Sequence, residues 1–142
     1  MKIYFACSIT GGRDYEKNYQ ALIRYLLDAG HEVPTAHFAE SNILENDAIL
    51  SPNNVYARDL HWILTSDILI AEISVPSHGV GYEIGYALAA KKPVLCLHDA
   101  SKRISTMIAG NPDPLLHRYA YHQIEDAFSA IDHFVKIVTK SS

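Results

Sequence analysis

Residues 67–89, DILIAEISVPSHGVGYEIGYALA, run from an almost unbroken apolar segment through a Ser/Pro bend into a glycine-rich helical pattern. Asp67–Ile73 is the third of the expected strands, and its continuous apolar character, interrupted by Glu72, fits a strand covered on both faces. The helix expected from Val80 to Lys91 carries Glu83 in its opening turn. Near the start of the chain the same grammar recurs: the strand at residues 2–7 leads into Ser8-Ile-Thr-Gly-Gly-Arg13. In a parallel α/β sheet both turns lie at the carboxyl ends of their strands, where ligands bind. A carboxylate beside two glycine-rich loops points to a small molecule bearing phosphate or sugar.

Outward from these two units the chain alternates strand and helix patterns. A helix is expected from Asp14 to Ala29, ended by Gly30, with Tyr19, Leu22, Ile23, Leu26 and Leu27 on one face. A second strand follows at His31–Thr35, and residues 38–54 read as an irregular region with a helical turn near Asn42–Asn46. Ser51 as N-cap and Pro52 at the first position start a helix that runs to Thr65, with Val55, Leu60, Ile63 and Leu64 as its apolar face. Pro93–Leu97 is strand four. Residues 98–118 read as irregular apart from a turn at Ser105–Ala109, Arg118–His122 is strand five, and Glu125–Thr139 is the last helix. The expected fold is a single doubly wound, Rossmann-like α/β domain over residues 1–142, with a five-stranded, mostly parallel sheet.

Composition narrows the function. The chain has 142 residues, 49% of them hydrophobic, and a formal net charge of −4. That balance lacks the basic stripe of a nucleic-acid surface. No apolar run reaches the roughly 20 residues that span a bilayer, and the first residues carry no signal-peptide pattern. A cytoplasmic protein is expected. Cys7 and Cys96 both fall in strands, as buried free thiols do. The eight His and two Cys form neither H-x-x-x-H nor C-x-x-C, so no metal site is expected. A Walker motif and a G-x-S-x-G elbow are also missing. Gly79-x-Gly81-x-x-x-Gly85 departs by one residue from the dinucleotide fingerprint.

Glu83 is the leading chemical candidate, against the plainer reading of an acidic residue complementing a helix dipole. The Ser8–Arg13 turn is a candidate anion cradle. Asp59, in Tyr56-Ala-Arg-Asp-Leu-His-Trp62, sits in mid-helix where Asp has poor propensity, and is either exposed or turned to the crevice.

Taken in order, Tyr4-Phe-x-x-Ser8-Ile-x-Gly-Gly-Arg13, Asp59-Leu-x-Trp62 and Ala71-Glu-Ile-Ser-x-Pro-Ser77-x-Gly-Val-Gly-Tyr-Glu83-x-Gly85 resemble the nucleoside 2-deoxyribosyltransferase superfamily. Within it the chain is most similar to the 2'-deoxynucleoside 5'-phosphate N-hydrolases, the Rcl-type enzymes, from Ile3 to about Gly110. The resemblance implies cleavage of the N-glycosidic bond of deoxynucleotides. Glu83 would be the nucleophile at C1', Asp59 would assist departure of the base, and Tyr4 would bond to the nucleophile or the sugar. Ser77, with Gly79 beside it, would bind the 5'-phosphate together with the loop formed by Cys7, Ser8, Ile9, Thr10, Gly11, Gly12 and Arg13. Ser105, flanked by Thr106 and Met107, would complete that pocket from the neighbouring subunit of a homodimer. Tyr19 and His37 match positions near the pocket. Tyr86, Leu88, Ala89 and the loop from Ser101 to Gly110 are expected at the subunit interface.

Positive charge develops at C1' as the base leaves, which a carboxylate stabilises or traps, so no metal or organic cofactor is required. One position departs from the pattern: Thr10 stands where the Rcl-type loop has Arg, removing a charge that would meet phosphate. Two other readings stay open, a transferase exchanging bases between free deoxynucleosides and a non-catalytic nucleotide-sensing module. The C-terminal Ile137-Val-Thr-Lys-Ser-Ser142 offers no aromatic to hold an acceptor base.

Overall fold

A computed structural model describes residues 1–141. Ser142, the end of the C-terminal stretch read above, lies outside the described residues. The elements are β1 (Ile3–Cys7), α1 (Glu16–Asp28), a 3-10 turn (Ala36–Ala39), α2 (Ile43–Ala48), α3 (Pro52–Thr65), β2 (Ile68–Glu72), α4 (His78–Ala89), β3 (Val94–Asp99), α5 (Thr106–Ala109), β4 (Leu116–Tyr121) and α6 (Ile124–Ser141). The strands lie in the order β1-β2-β3-β4, and every neighbouring pair is parallel.

All residues of β1 and β2 are buried, as the apolar runs require of strands covered on both faces. The helices divide between those faces. Helix α4 packs on β1, β2 and β3 and against α3, whereas α6 packs on β3 and β4 and against α1. Side-chain alternation agrees: Tyr4 reaches α4 through Glu83. In register Tyr4 pairs with Leu69 and Leu69 with Val94. Leu95, one step along, lines a hollow with Phe134 of α6. The sheet is therefore doubly wound.

The second of the expected strands does not form: among the described residues the sheet has four strands, not five. Residues His31–Thr35 make one isolated parallel bridge, Lys2 with Glu32. The cause is local chemistry. Pro34 has no N–H to give a ladder, and the Thr35 hydroxyl takes over the exposed edge of β1. It accepts from Phe5 N at 3.0 Å and donates to Phe5 O at 2.7 Å. A side chain thus satisfies two backbone groups that another strand would otherwise pair.

Several boundaries move for similar reasons. Helix α4 begins at His78 because the Ser77 hydroxyl caps it, accepting from Val80 N at 3.2 Å. Ser51 caps α3 in the same way, through Asn54 N at 3.2 Å, as its sequence predicts. Helix α1 starts at Glu16, two residues after the expected Asp14 and without a side-chain cap, and ends where Gly30 adopts φ +89°, a left-handed conformation that glycine enters without strain. Residues 38–54, expected to be irregular with a helical turn near Asn42–Asn46, carry that turn as α2 (Ile43–Ala48) and bury Phe38, Ala39 and Ile43. Leu27 and Leu64, assigned to buried faces, are 46% and 48% exposed, whereas Leu88, expected at an interface, belongs to the core. Cys7 and Cys96 are buried and unbridged, and burial pushes both thiols up to about 12.

Glu72, the polar interruption in β2, is fully buried. Its carboxylate accepts from Ser74 N at 2.6 Å, from Ser74 Oγ at 3.0 Å and from the Tyr121 hydroxyl. Burial raises its pKa while these bonds oppose the rise. The cluster ties the ends of β2 and β4 together and fixes the turn that leads into α4.

Among the described residues no helix is long and apolar enough to cross a membrane.

Candidate active site

Strand β1 and the second turn of α4 bring Tyr4 and Glu83 together, and the Tyr4 hydroxyl donates to Glu83 Oε2; Glu83 falls one turn later than expected because the Ser77 cap starts the helix at His78. Tyr4 is fully buried on β1, so the rigid sheet sets the position of its hydroxyl. Glu83 is partly buried. Burial pushes its carboxyl up to about 7; the hydrogen bond from Tyr4 opposes this, the charge of Asp59 adds to it and that of Arg58 opposes it. Burial, followed by the charge of Glu83, raises the Tyr4 phenol far above its usual range, so it serves as a donor. A carboxyl poised near neutrality is suited to act as nucleophile or acid–base group.

Asp59 comes to this centre from α3. Its side chain is 18% exposed and accepts from Arg58 Nε at 2.9 Å. Its charge is felt at both Tyr4 and Glu83, and its low exposure sets aside the reading of a fully exposed residue. His37, in the 3-10 turn, packs edge-on against Phe38 at 4.7 Å and against Trp62 at 5.6 Å between ring centroids. These rings wall the site on the α3 side.

Ser77 stands at the other end. A Cβ built on Gly79 would lie 3.9 Å from Glu83 Oε1 and 3.9 Å from Ser77 Oγ. The carboxylate and the hydroxyl therefore flank one small space, with the N-terminus of α4 beneath it. Ser77 also lines a cavity of about 580 Å3, shared with Gly81, Ile84, Gly85, Ile104, Ser105 and Met107. That cavity adjoins Glu83 without including it. Ser105 caps α5, accepting from Met107 N at 3.2 Å. Ser105 and Thr106 are exposed, and Met107 is 82% exposed.

The loop after β1 is more tightly tied than its sequence suggests. Ser8 is buried and its hydroxyl accepts from Gly11 N at 3.2 Å. A Cβ at Gly11 would meet Ser8 Oγ at 2.6 Å and Pro76 O at 3.1 Å, so the loop approaches the β2–α4 turn where only glycine fits. Arg13 clamps this loop from behind: its guanidinium donates to Ser8 O, Phe38 O and Glu40 O at 3.1–3.3 Å and pairs with Glu16 at 3.1 Å. Thr10 and Gly12 are exposed and Ile9 is partly buried.

Two residues named with the site lie deeper. Cys7 points into the core, its thiol 3.9 Å from Phe38 O. Tyr19 is fully buried on α1, beneath the Arg13 guanidinium at 5.8 Å. One residue went unassigned in the sequence: Arg58, whose guanidinium lies 4.9 Å from the Trp62 ring and 5.8 Å from the Phe38 ring. The spacing of Arg58 and Trp62, four residues apart on one helix, was the available signal.

Known proteins share this arrangement of sequence. The profile of the nucleoside 2-deoxyribosyltransferase family matches residues 3–128. A Methanosarcina barkeri protein provisionally named 2'-deoxynucleoside 5'-phosphate N-hydrolase 1 is 43% identical over 120 residues, covering 84% of this chain and 76% of its own. The 5-hydroxymethyl-dUMP N-hydrolase of Esox lucius is 36% identical over 145 residues, covering 99% of each chain. Among solved structures, the Clostridium botulinum CMP N-glycosidase superposes with a TM-score of 0.69 at 22% identity, over 93% of this chain and 99% of that one. At that identity the superposition speaks for the fold alone.

Proposed function

The chain belongs to the nucleoside 2-deoxyribosyltransferase family, and on that premise we propose that it hydrolyses 2'-deoxynucleoside 5'-monophosphates to free nucleobase and 2-deoxyribose 5-phosphate. The observation that carries this reading is the space in front of Gly79, flanked by Glu83 Oε1 and Ser77 Oγ. A sugar 5-phosphate laid there puts C1' beside the carboxylate and its phosphate toward the Ser77-capped N-terminus of α4, where free N–H groups favour an anion.

Glu83, held by Tyr4, attacks C1' as the C1'–N bond breaks and its electron pair leaves with the base. Asp59 faces the leaving base and orients its departure. Water then attacks C1', frees the Glu83 carboxylate and supplies the proton that the base gains. In binding the substrate, the backbone N–H groups of residues 8–13 face the phosphate together with Ser77 and Gly79. Thr10 adds a hydroxyl, and Arg13 holds the loop in shape. His37 walls the base side, while Tyr19 and Cys7 support the loop from the core.

The active form is a homodimer in which Ser105, with Thr106 and Met107, completes the partner's phosphate pocket. The exposure of Met107, Tyr56 and Tyr82, at 82%, 52% and 55%, supports a second copy covering that side. The chain acts as one domain over residues 1–142, and the unbridged thiols are consistent with a cytoplasmic location.

The test is base release from dGMP, dCMP, dTMP and dUMP beside deoxyguanosine, followed by chromatography with Glu83→Ala as control. Release from the monophosphates alone supports the reading. Thr10 favours one second reading: without the family's loop arginine, phosphate is held by fewer charges, and release from deoxyguanosine alone would point to nucleoside substrates. Mixed products in a two-base exchange assay would identify transfer.

A further inference from the structure

Helix α3 delivers a cation to the site as well as the carboxylate of Asp59. Arg58 donates from Nε to Asp59 Oδ1 at 2.9 Å, and the two side chains are 20% and 18% exposed. Its guanidinium carbon lies 4.9 Å from the centre of the Trp62 ring and 5.8 Å from that of Phe38. Phe38 in turn packs edge-on against Tyr4 at 6.2 Å. The cation is thus fixed between two aromatic rings, one of which touches the tyrosine that holds Glu83. Its positive charge reaches both the Tyr4 hydroxyl and the Glu83 carboxyl. A guanidinium stays charged at any working pH and presents its donors in one plane, so it is an electrostatic group rather than a proton donor.

We propose that Arg58 stabilises the negative charge that develops on the departing base. The inference rests on Glu83 and Asp59 acting as described above. When Glu83 bonds to C1', the C1'–N1 pair of electrons passes to the ring. In a uracil-type base that charge spreads onto two carbonyl oxygens, and the base leaves as a stabilised anion. A fixed cation beside it lowers the barrier without a proton having to move first. Cytosine and adenine, which carry ring amino groups, leave poorly unless protonated and gain less from a cation. The proton released when water attacks C1' later neutralises the base anion, so the reaction balances as nucleotide plus water to base plus sugar phosphate.

The experiment compares kcat for wild type, Arg58→Gln and Arg58→Lys on 5-fluoro-dUMP, dUMP and dTMP, whose bases become progressively poorer anions. The expected loss in Arg58→Gln is about 100-fold on dUMP, smaller on 5-fluoro-dUMP and larger on dTMP. Arg58→Lys keeps the charge and recovers most of the activity with the wild-type dependence on leaving group. An equal loss on all three substrates identifies a purely structural role and overturns the inference. So does a loss below about threefold. A wild type that releases no base from any deoxynucleotide overturns the underlying hydrolase reading instead, and the inference with it.

Discussion

Tyr4 on the first strand donates its phenolic proton to Glu83 on the fourth helix, across 79 residues of sequence. The two side chains form a unit in which the sheet supplies rigidity and the helix supplies the reactive group. Replacing Tyr4 with Phe removes the bond that opposes the burial of Glu83. The carboxyl then titrates above about 7, because a lost donor to the charged form raises a carboxyl pKa. Base release at pH 7 should fall by about 10- to 100-fold, and the limb on which activity rises with pH should move to higher pH. A pH–rate profile of Tyr4→Phe against wild type checks this; an unmoved limb counts against Glu83 as the titrating nucleophile.

Glu83 also links activity to stability. Its carboxyl is raised from 4.5 to about 7 in the fold. The stability contributed by its neutral form is therefore fully present below about pH 4.5 and lost as pH rises through 7. Glu83→Gln should be more stable than wild type at pH 8 by about 2 kcal/mol, or about 5 °C in Tm, and indistinguishable from it near pH 4. Thermal melts at both pH values measure the difference. Equal melting temperatures at pH 8 would mean that the site does not strain this carboxyl.

Thr35→Val tests the hydroxyl that replaces a strand. The substitution preserves shape but leaves Phe5 N and Phe5 O without the partners now at 3.0 and 2.7 Å. Unsatisfied buried backbone groups cost about 1–3 kcal/mol each, so a loss of about 2 kcal/mol is expected in urea unfolding, with the slope unchanged. A neutral substitution would show that water or backbone movement satisfies that edge.

Complementation addresses the assembly. If Ser105 serves the neighbouring subunit, mixing and reassembling inactive Glu83→Gln with weakened Ser105→Ala creates mixed dimers holding one intact site. Activity should then exceed the average of the two parents. If Ser105 serves its own chain, no mixed dimer contains an intact site and activity stays at the average.

The glycine-rich block and the loop after β1 were legible because local chemistry fixes them. The apolar run of β2 has to be covered on both faces, and the glycine-rich block after it reads as a helix, although the Ser77 cap places its start at His78 rather than Val80. Glu83 and Ser77 were brought together by sequence alone, being six residues apart across a helix start. Arg58 was not, since its significance depends on Phe38 lying over it from a segment whose polar sequence reads as irregular. Arg13 reads from sequence as an anion ligand, yet the carbonyls of Phe38 and Glu40 claim its donors.

By itself, then, the sequence determined the α/β class, the order of the elements and the identity of the chemical groups, because these follow from periodicity, capping and turn chemistry within short spans. The tertiary structure decided how many strands the sheet has, which carbonyls claim the donors of Arg13 and which cation accompanies Asp59. Each of those depends on groups distant in sequence competing for the same hydrogen-bond donors, acceptors and buried space, and only the folded chain settles that competition.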